Sequence, residues 1–510
     1  MKNKWIPILR RAFLILFSGM IILAVLLAIW SLYVFRDRNP GYSLALAIDG
    51  KNFRTEESSL RVGFGRMKIN PDLSDPNHPI WIAGFGPHRA ATKIHDDLWA
   101  VACVIDDGHT RLGIVALDAI GLFHDDVLNV RRQLSAQSKI DYAIVCTTHN
   151  HSTPDLLGLW GPNLLRTGVD AQYRQHVIAS AARALDAAAA ALRPAHVAFH
   201  EIPVPMTDLV EDGRRPEVFD PNLRLMHFID PSGSTTIGTL VSWADHPETP
   251  WSKNTEITAD YCGYLRAALE GGVRRNDELL AQGVGGIHVY VNGAIGGLMT
   301  TSPEIKVHDP YFNAGYQQPT HEKARALGHQ LVSRILPVLH ANTTAFTDRM
   351  PISIHARTIE IPLANRGYLI AQVLGLVDRG HARWKRIRTE VALIQLGEAS
   401  VVCIPGEIYP EIVNGGIERA PGSDFAVDPV EIPPIRLMMP GKIKFLFGLA
   451  NDEIGYIIPK SEWDQSAPYM YGSSEPLYGE INSTGPETAR LIHQAVRELC
   501  ERAHAQTNHQ

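Results

Sequence analysis

Three short stretches of this chain carry side chains suited to chemistry, and each directly follows an apolar run. The first is Thr147-Thr-His149-Asn-His151-Ser-Thr-Pro154-Asp155, after Tyr142-Ala-Ile-Val-Cys146. In an extended chain residues i and i+2 project to one side, so the imidazoles of His149 and His151 can address one point, as a metal-binding or an acid–base pair. The second is Ala244-Asp245-His246-Pro247-Glu248-Thr249, after Thr239–Trp243. The third is Pro405-Gly406-Glu407-Ile408-Tyr409, after Ser400–Ile404. Open α/β sheets gather ligands at the carboxyl ends of their strands. Two histidines and a glutamate delivered there leave one position open for water on zinc. Periodicity alone does not bring the three strand ends together.

Cysteine does not compete for that role. Cys103, Cys146, Cys262, Cys403 and Cys500 are an odd, widely spaced set without a C-x-x-C pair, which argues against a thiolate zinc site or a disulfide framework. A metal here uses His and carboxylate. The net charge of −6 without a long basic stripe excludes nucleic acid as the main partner.

The elements that must position these residues are legible as alternating runs. Strands are expected at Leu112–Leu117, Tyr142–Thr147, Thr236–Trp243, Ile287–Asn292, Val391–Leu396 and Ser400–Ile404. Helices are expected at Val127–Gln137, Ala171–Leu192, Ala259–Leu269, His321–Leu339 and Glu487–Arg502. The fold class is α/β, a large mixed β-sheet core flanked by helices, with no internal repeat visible in the sequence. One transmembrane helix precedes it: Ala12 to Phe35 is free of charge, long enough to span a bilayer, and ends in bulky residues where a signal peptide would carry a small-residue cleavage site. Lys2, Lys4, Arg10 and Arg11 before it place the N-terminus in the cytoplasm and the remainder on the extracytoplasmic side, periplasmic or extracellular. Residues 1–36 are thus a cytoplasmic N-terminus and signal anchor, 37–60 a polar, irregular tether, and 61–510 the folded domain that carries the three stretches.

Ordered motifs along the soluble part resemble the neutral (non-lysosomal) ceramidase family. They are Val62-Gly-Phe-Gly65, Ile69-Asn-Pro71, Ala83-Gly-Phe-Gly86, Ile94-His-Asp96, Leu98-Trp-Ala100, Ala116-Leu-Asp118, Gly121-Leu122, the Thr-His-Asn-His-Ser segment, His246-Pro247, Ala259-Asp-Tyr261, Gly263-Tyr264, Pro405-Gly-Glu407 and Ser483-Thr-Gly-Pro486. The resemblance implies a zinc amidohydrolase. It carries the family's zinc ligands over to His149, His246, Glu407 and Tyr456, the last within Asn451-Asp-Glu-Ile-Gly-Tyr456-Ile457. His151 falls to the reacting carbonyl, and Tyr456 is a second candidate for stabilising the oxyanion. A further tyrosine of the family that contacts substrate has three candidates here, Tyr469, Tyr471 and Tyr478.

The sequence departs from that pattern in two places. Where the family carries Gly-Asp-Val-Ser-Pro, this chain reads Asn292-Gly-Ala-Ile-Gly-Gly297-Leu-Met299-Thr-Thr, so the Asp and Ser positions hold Gly297 and Met299. Only Thr300, Thr301 or Ser302 offers a hydroxyl nearby. The sequence also ends after the catalytic region, without the sandwich-like C-terminal domain of larger family members. The expected function is membrane-anchored, zinc-dependent (Zn2+) amide hydrolysis, on N-acyl lipids such as ceramide. The alternatives are a zinc esterase or amidase on a non-lipid small molecule, and a metal-containing binding protein without turnover.

Overall fold

The computed structural model describes residues 6–50, 60–341 and 345–507. Three mixed sheets carry the fold, and they share one strand pattern. Three consecutive antiparallel strands are followed, after a helical crossover, by a fourth strand parallel to the third. In the first sheet these are Arg61–Lys68, Trp99–Asp106, Arg111–Leu117 and Tyr142–Thr147. In the second they are His196–Pro203, Asn222–Ile229, Thr236–Trp243 and Ile287–Asn292. In the third they are Ile352–Pro362, Arg386–Leu396, Ala399–Cys403 and Ile443–Phe447. The expected mixed-sheet core flanked by helices is therefore present, divided into three sheets. Their repetition lies in topology, where the sequence shows no repeat.

Each sheet is buried on both faces, which is why its strands read as continuous apolar runs rather than strict alternations. The inner faces meet in one shared core: Ile114 and Ile144 from the first sheet, Leu240 and Val291 from the second, Ile394 and Phe445 from the third. The outer faces are covered by helices, Ala171–Ala190 on the first, Asp260–Gly271 with His321–His340 on the second, and Thr488–Thr507 on the third. The Ala-rich helix starts at Asp170, whose carboxylate accepts the Tyr173 N–H at 2.6 Å. Its small side chains let it press on the strand that carries Gly63 and Gly65. A Cβ at Gly63 would lie 2.1 Å from the Ala188 carbonyl oxygen, which accounts for the Gly-Phe-Gly motif.

Two expectations shift. The helix expected at Val127–Gln137 spans His124–Arg132, because beyond it the Asp186 carboxylate takes the Ser135 N–H and a turn through Ser138 replaces helical pairing. The tether is the larger correction. Ala45–Ile48 pairs antiparallel with Ile354–Arg357 as an edge strand of the third sheet, and alternating Leu44, Leu46 and Ile48 pack on the shared core. Asp37 accepts two hydrogen bonds from Arg388 at 2.8 and 2.7 Å, and Asn39 donates to Asp125 at 2.6 Å. An unpaired sheet edge and a period-two apolar pattern are sufficient cause for pairing. The remaining tether positions 51–59 lie outside the described residues.

The N-terminal helix spans Ile6–Val34, and its segment Leu9–Val34, of mean hydropathy 2.9, is long and apolar enough to cross a membrane.

Candidate active site

The first and second histidine-bearing loops and the Pro-Gly-Glu turn do converge, where the carboxyl ends of the three sheets meet. His149 follows the fourth strand of the first sheet, His246 the third strand of the second, and Glu407 the third strand of the third. Asn292 ties the loops together: its buried amide donates to the carbonyls of Thr148 at 2.9 Å and Asp245 at 3.0 Å, each one residue before a histidine. Gly406 permits the third approach, since a Cβ there would lie 2.6 Å from the Gly455 carbonyl oxygen.

The imidazoles of His149, His151 and His246 form a triangle with ring centroids 5.0, 5.1 and 5.5 Å apart, and one nitrogen of each lies within 4.8 Å of one nitrogen of the others. His149 reaches this position with φ of 61°, in the left-handed region that a non-glycine residue occupies only when its surroundings enforce it. The strand has already ended at Thr147, so a turn rather than the pleat of a strand makes the two histidines converge.

Hydrogen bonding fixes how two of the rings present themselves. His149 Nδ1 lies 2.7 Å from the Ile120 carbonyl and His246 Nδ1 lies 2.6 Å from the Met299 carbonyl. A carbonyl only accepts, so both Nδ1 atoms carry hydrogen and both Nε2 atoms face inward. There they meet the Glu407 carboxylate, at 3.5 Å from His149 and 3.0 Å from His246. A lone pair cannot stably face a carboxylate across that distance in a buried site. Either a proton or a cation must sit between them. Burial alone would lower the proton affinity of His149, but the Glu407 charge prevails and raises it to about 9, while the same pairing holds Glu407 well below the carboxylate range. The donor set, two imidazole nitrogens braced at their far side by carbonyls plus one carboxylate, fits zinc.

Tyr456 stands beside Glu407 in a short parallel ladder, Glu407 opposite Tyr456, and lines the same cavity. Burial pushes its phenol well above the usual range, with the Glu407 charge acting in the same sense. His151 is arranged differently. Its Nδ1 lies 2.7 Å from Glu248, and Glu248 in turn accepts the Thr300 hydroxyl at 2.6 Å. Burial keeps His151 neutral, lowered to about 4; Nδ1 meets Glu248 at ion-pair distance without hydrogen-bond alignment, and Nε2 has no hydrogen-bond partner. Gly84, at φ of 114°, makes room beneath it: a Cβ there would lie 2.5 Å from the His151 Cβ.

The loop that departs from the expected Ser motif accounts for its hydroxyls. Met299 is fully buried in the core of the second sheet and contributes only its backbone, to His246. Thr301 donates to Leu209 and Asp245, Thr300 to Glu248, and Ser302 accepts the Glu304 N–H. Among the three candidate tyrosines, Tyr478 lines the cavity with its ring 5.8 Å from that of Tyr456, whereas Tyr469 and Tyr471 pack along Pro421–Gly422. Nothing in the sequence singles out Glu248 or Glu453. Glu453 lines the cavity with one carboxylate oxygen unpartnered, and burial together with Glu407 raises it to about 8. The only local signal for either is its place two residues from a site histidine or three from Tyr456.

A cavity opens above the histidines, with walls that include Phe123, Leu157, Trp160, Leu363, Val377 and Ile454. No family model matches the sequence, and no curated protein does. Solved structures do. A crystal structure of neutral ceramidase from Pseudomonas aeruginosa superposes with a TM-score of 0.63 at 15% identity, covering 88% of this chain and 75% of that one. A ceramidase complexed with C2 gives 0.64 at 14% identity, covering 88% and 76%. The fold is that of the ceramidases. The motif resemblance and the backbone agree on architecture.

Proposed function

We propose that this chain is a membrane-anchored, zinc-dependent hydrolase of amide bonds acting on N-acyl lipids, with ceramide as the reference substrate. The observation that carries this reading is the convergence of His149, His246 and Glu407, with both Nδ1 atoms braced, at the base of a largely apolar cavity. In it, His149, His246 and Glu407 would hold the metal, with Tyr456 as the fourth ligand. When bound, zinc supplies Lewis-acid polarisation of the scissile carbonyl and acidifies water toward neutrality.

The protein's own groups do the rest. Neutral His151, its Nδ1 against the Glu248 carboxylate, presents Nε2 to the reacting centre as a proton acceptor, the position of a general base. The walls exclude water and accept an acyl chain. No hydroxyl of the Met299–Ser302 loop is needed as nucleophile. In this reading the N-terminus is cytoplasmic, the domain lies on the extracytoplasmic side, and nucleic acid is no partner.

The test is metal analysis of the purified full chain beside His149→Ala and Glu407→Ala, with turnover of a fluorescent ceramide. The expected result is one zinc per parent chain, loss of zinc in both variants, and turnover only by the parent. Full zinc occupancy in both variants would sink the ligand assignment. Zinc without turnover of ceramide, but with cleavage of polar amides or esters, would move the substrate class.

A further inference from the structure

The helix Arg366–Val373 forms part of the cavity wall with one face and carries apolar residues on the opposite one. Tyr368 and Gln372, one turn apart, line the cavity. On the far face Ile370 is 59% exposed and Leu374, just past the helix, 51%. Two exposed aliphatic side chains at i and i+4, on a helix whose other face lines a binding cavity, form an apolar surface patch.

What stands beside that face is the end of the membrane-spanning helix. Trp30, in its last turns, donates its indole N–H to the Val373 carbonyl at 2.8 Å. Phe35, just beyond the span, packs edge-on against exposed Trp384 at 5.0 Å, and Arg36 lies 3.8 Å over the Tyr33 ring. Trp and Tyr at the end of an apolar span mark the level of the membrane interface. The hydrogen bond to Val373 therefore fixes the helix Arg366–Val373 at that same level.

The wall next to it ends in the same way. Leu157, Leu159 and Trp160 line the cavity and share a small apolar cluster with Ala371 and Val377. A few residues on, the tight turn Asn163–Arg166 presents Leu164 and Leu165 at 74% and 71% exposure.

We infer that these two segments form a rim that dips into the lipid headgroup and acyl boundary, so that the cavity is filled from the bilayer by a membrane-resident amphiphile rather than from water. The occupant of the exposed face is the bilayer that holds the chain's own span. This deepens the proposed function and rests on it for the chemistry performed, but not for the rim itself. An acyl chain leaving the leaflet passes along apolar wall and is never fully exposed to water, which removes the cost of extracting it.

The test uses the full chain in phosphatidylcholine vesicles. Bimane is attached at Ile370→Cys or Leu374→Cys, which is selective because all five native cysteines are buried, with Ser232→Cys, on an exposed turn of the second sheet, as reference. Brominated acyl chains are expected to quench bimane at 370 and 374 at least twofold more than at 232; equal quenching at all three overturns the rim.

The second arm compares the parent with Ile370→Ser/Leu374→Ser. Turnover of a long-chain N-acyl amide embedded in vesicles should fall tenfold or more, with turnover of a short-chain, water-soluble amide kept within twofold. Equal loss on both substrates, or loss on neither, overturns entry from the bilayer. Should the parent turn over no amide at all, the amidase reading falls, and the quenching comparison alone upholds or overturns the rim.

Discussion

Glu248 has no role legible in the sequence, yet it faces the one site histidine whose Nδ1 is not braced by a carbonyl. A carboxylate behind an imidazole fixes the tautomer and the ring orientation, and removing such a partner usually costs 10–100-fold, by analogy with metal-site partners (~10–100-fold). Glu248→Gln is therefore expected to lower kcat on a fluorescent ceramide by about that factor while zinc content stays at the parental value. Parental kcat would remove Glu248 from the mechanism. Gly84→Ala acts on the same ring by sterics: its Cβ would meet the His151 side chain at 2.5 to 2.8 Å, in a backbone conformation that disfavours any side chain. Reduced turnover with retained zinc is expected there too, which separates His151 from His149, where zinc itself is lost.

Between elements, the first and third sheets are joined by a buried polar node. Glu390 accepts from Arg131 at 2.9 and 2.7 Å and from the Tyr142 hydroxyl at 2.6 Å, and Asn451 donates to the same hydroxyl at 3.0 Å. Burial would raise the Glu390 carboxyl, but Arg131 outweighs it and holds it at about 2, below the ordinary 4.5 of a glutamate. A folded-state value below the unfolded one gives stability that is fully present above about 4.5 and is lost as pH falls toward 2. At ~1.4 kcal/mol per unit this is on the order of 3 kcal/mol. Glu390→Gln should lower the unfolding free energy at pH 7 by about 3–5 kcal/mol, since Arg131 is left buried without its counter-charge. Denaturant unfolding at pH 7 and pH 3 checks this, the gap between parent and variant narrowing at the lower pH. An unchanged gap would mean that another group carries the acid sensitivity.

For the molecule as a whole, the site is also a joint. His149, His246 and Glu407 come from three different sheets, so a metal held by them cross-links all three at their carboxyl ends. A ligand that binds only the folded chain stabilises it by RT ln(1 + [L]/Kd), about 4 kcal/mol at a thousandfold excess over Kd. Treatment with a chelator should lower Tm, zinc should restore it, and His246→Ala should abolish the zinc-dependent shift without unfolding the chain. A Tm indifferent to zinc in the parent would argue against a metal at this joint.

Local pattern determined a good deal by itself. The charge-free run of the N-terminal helix, the strands at Tyr142–Thr147, Thr236–Trp243 and Ile287–Asn292, and the N, N and O donors at strand ends are all readable, because burial of a face and emergence from a strand leave marks within a few residues. Leu44-Ala-Leu-Ala-Ile48 carried the marks of an edge strand as well, but a five-residue apolar run with alanine at every second position is too short to announce one. Only the tertiary structure decided which strand ends meet. His149 and His246 lie 97 positions apart and His246 and Glu407 161, so their convergence depends on three sheets closing on one core, not on any local periodicity. The same closure joined Glu248 to His151, turned the Met299 loop into a backbone brace, and set Trp30 against the cavity wall.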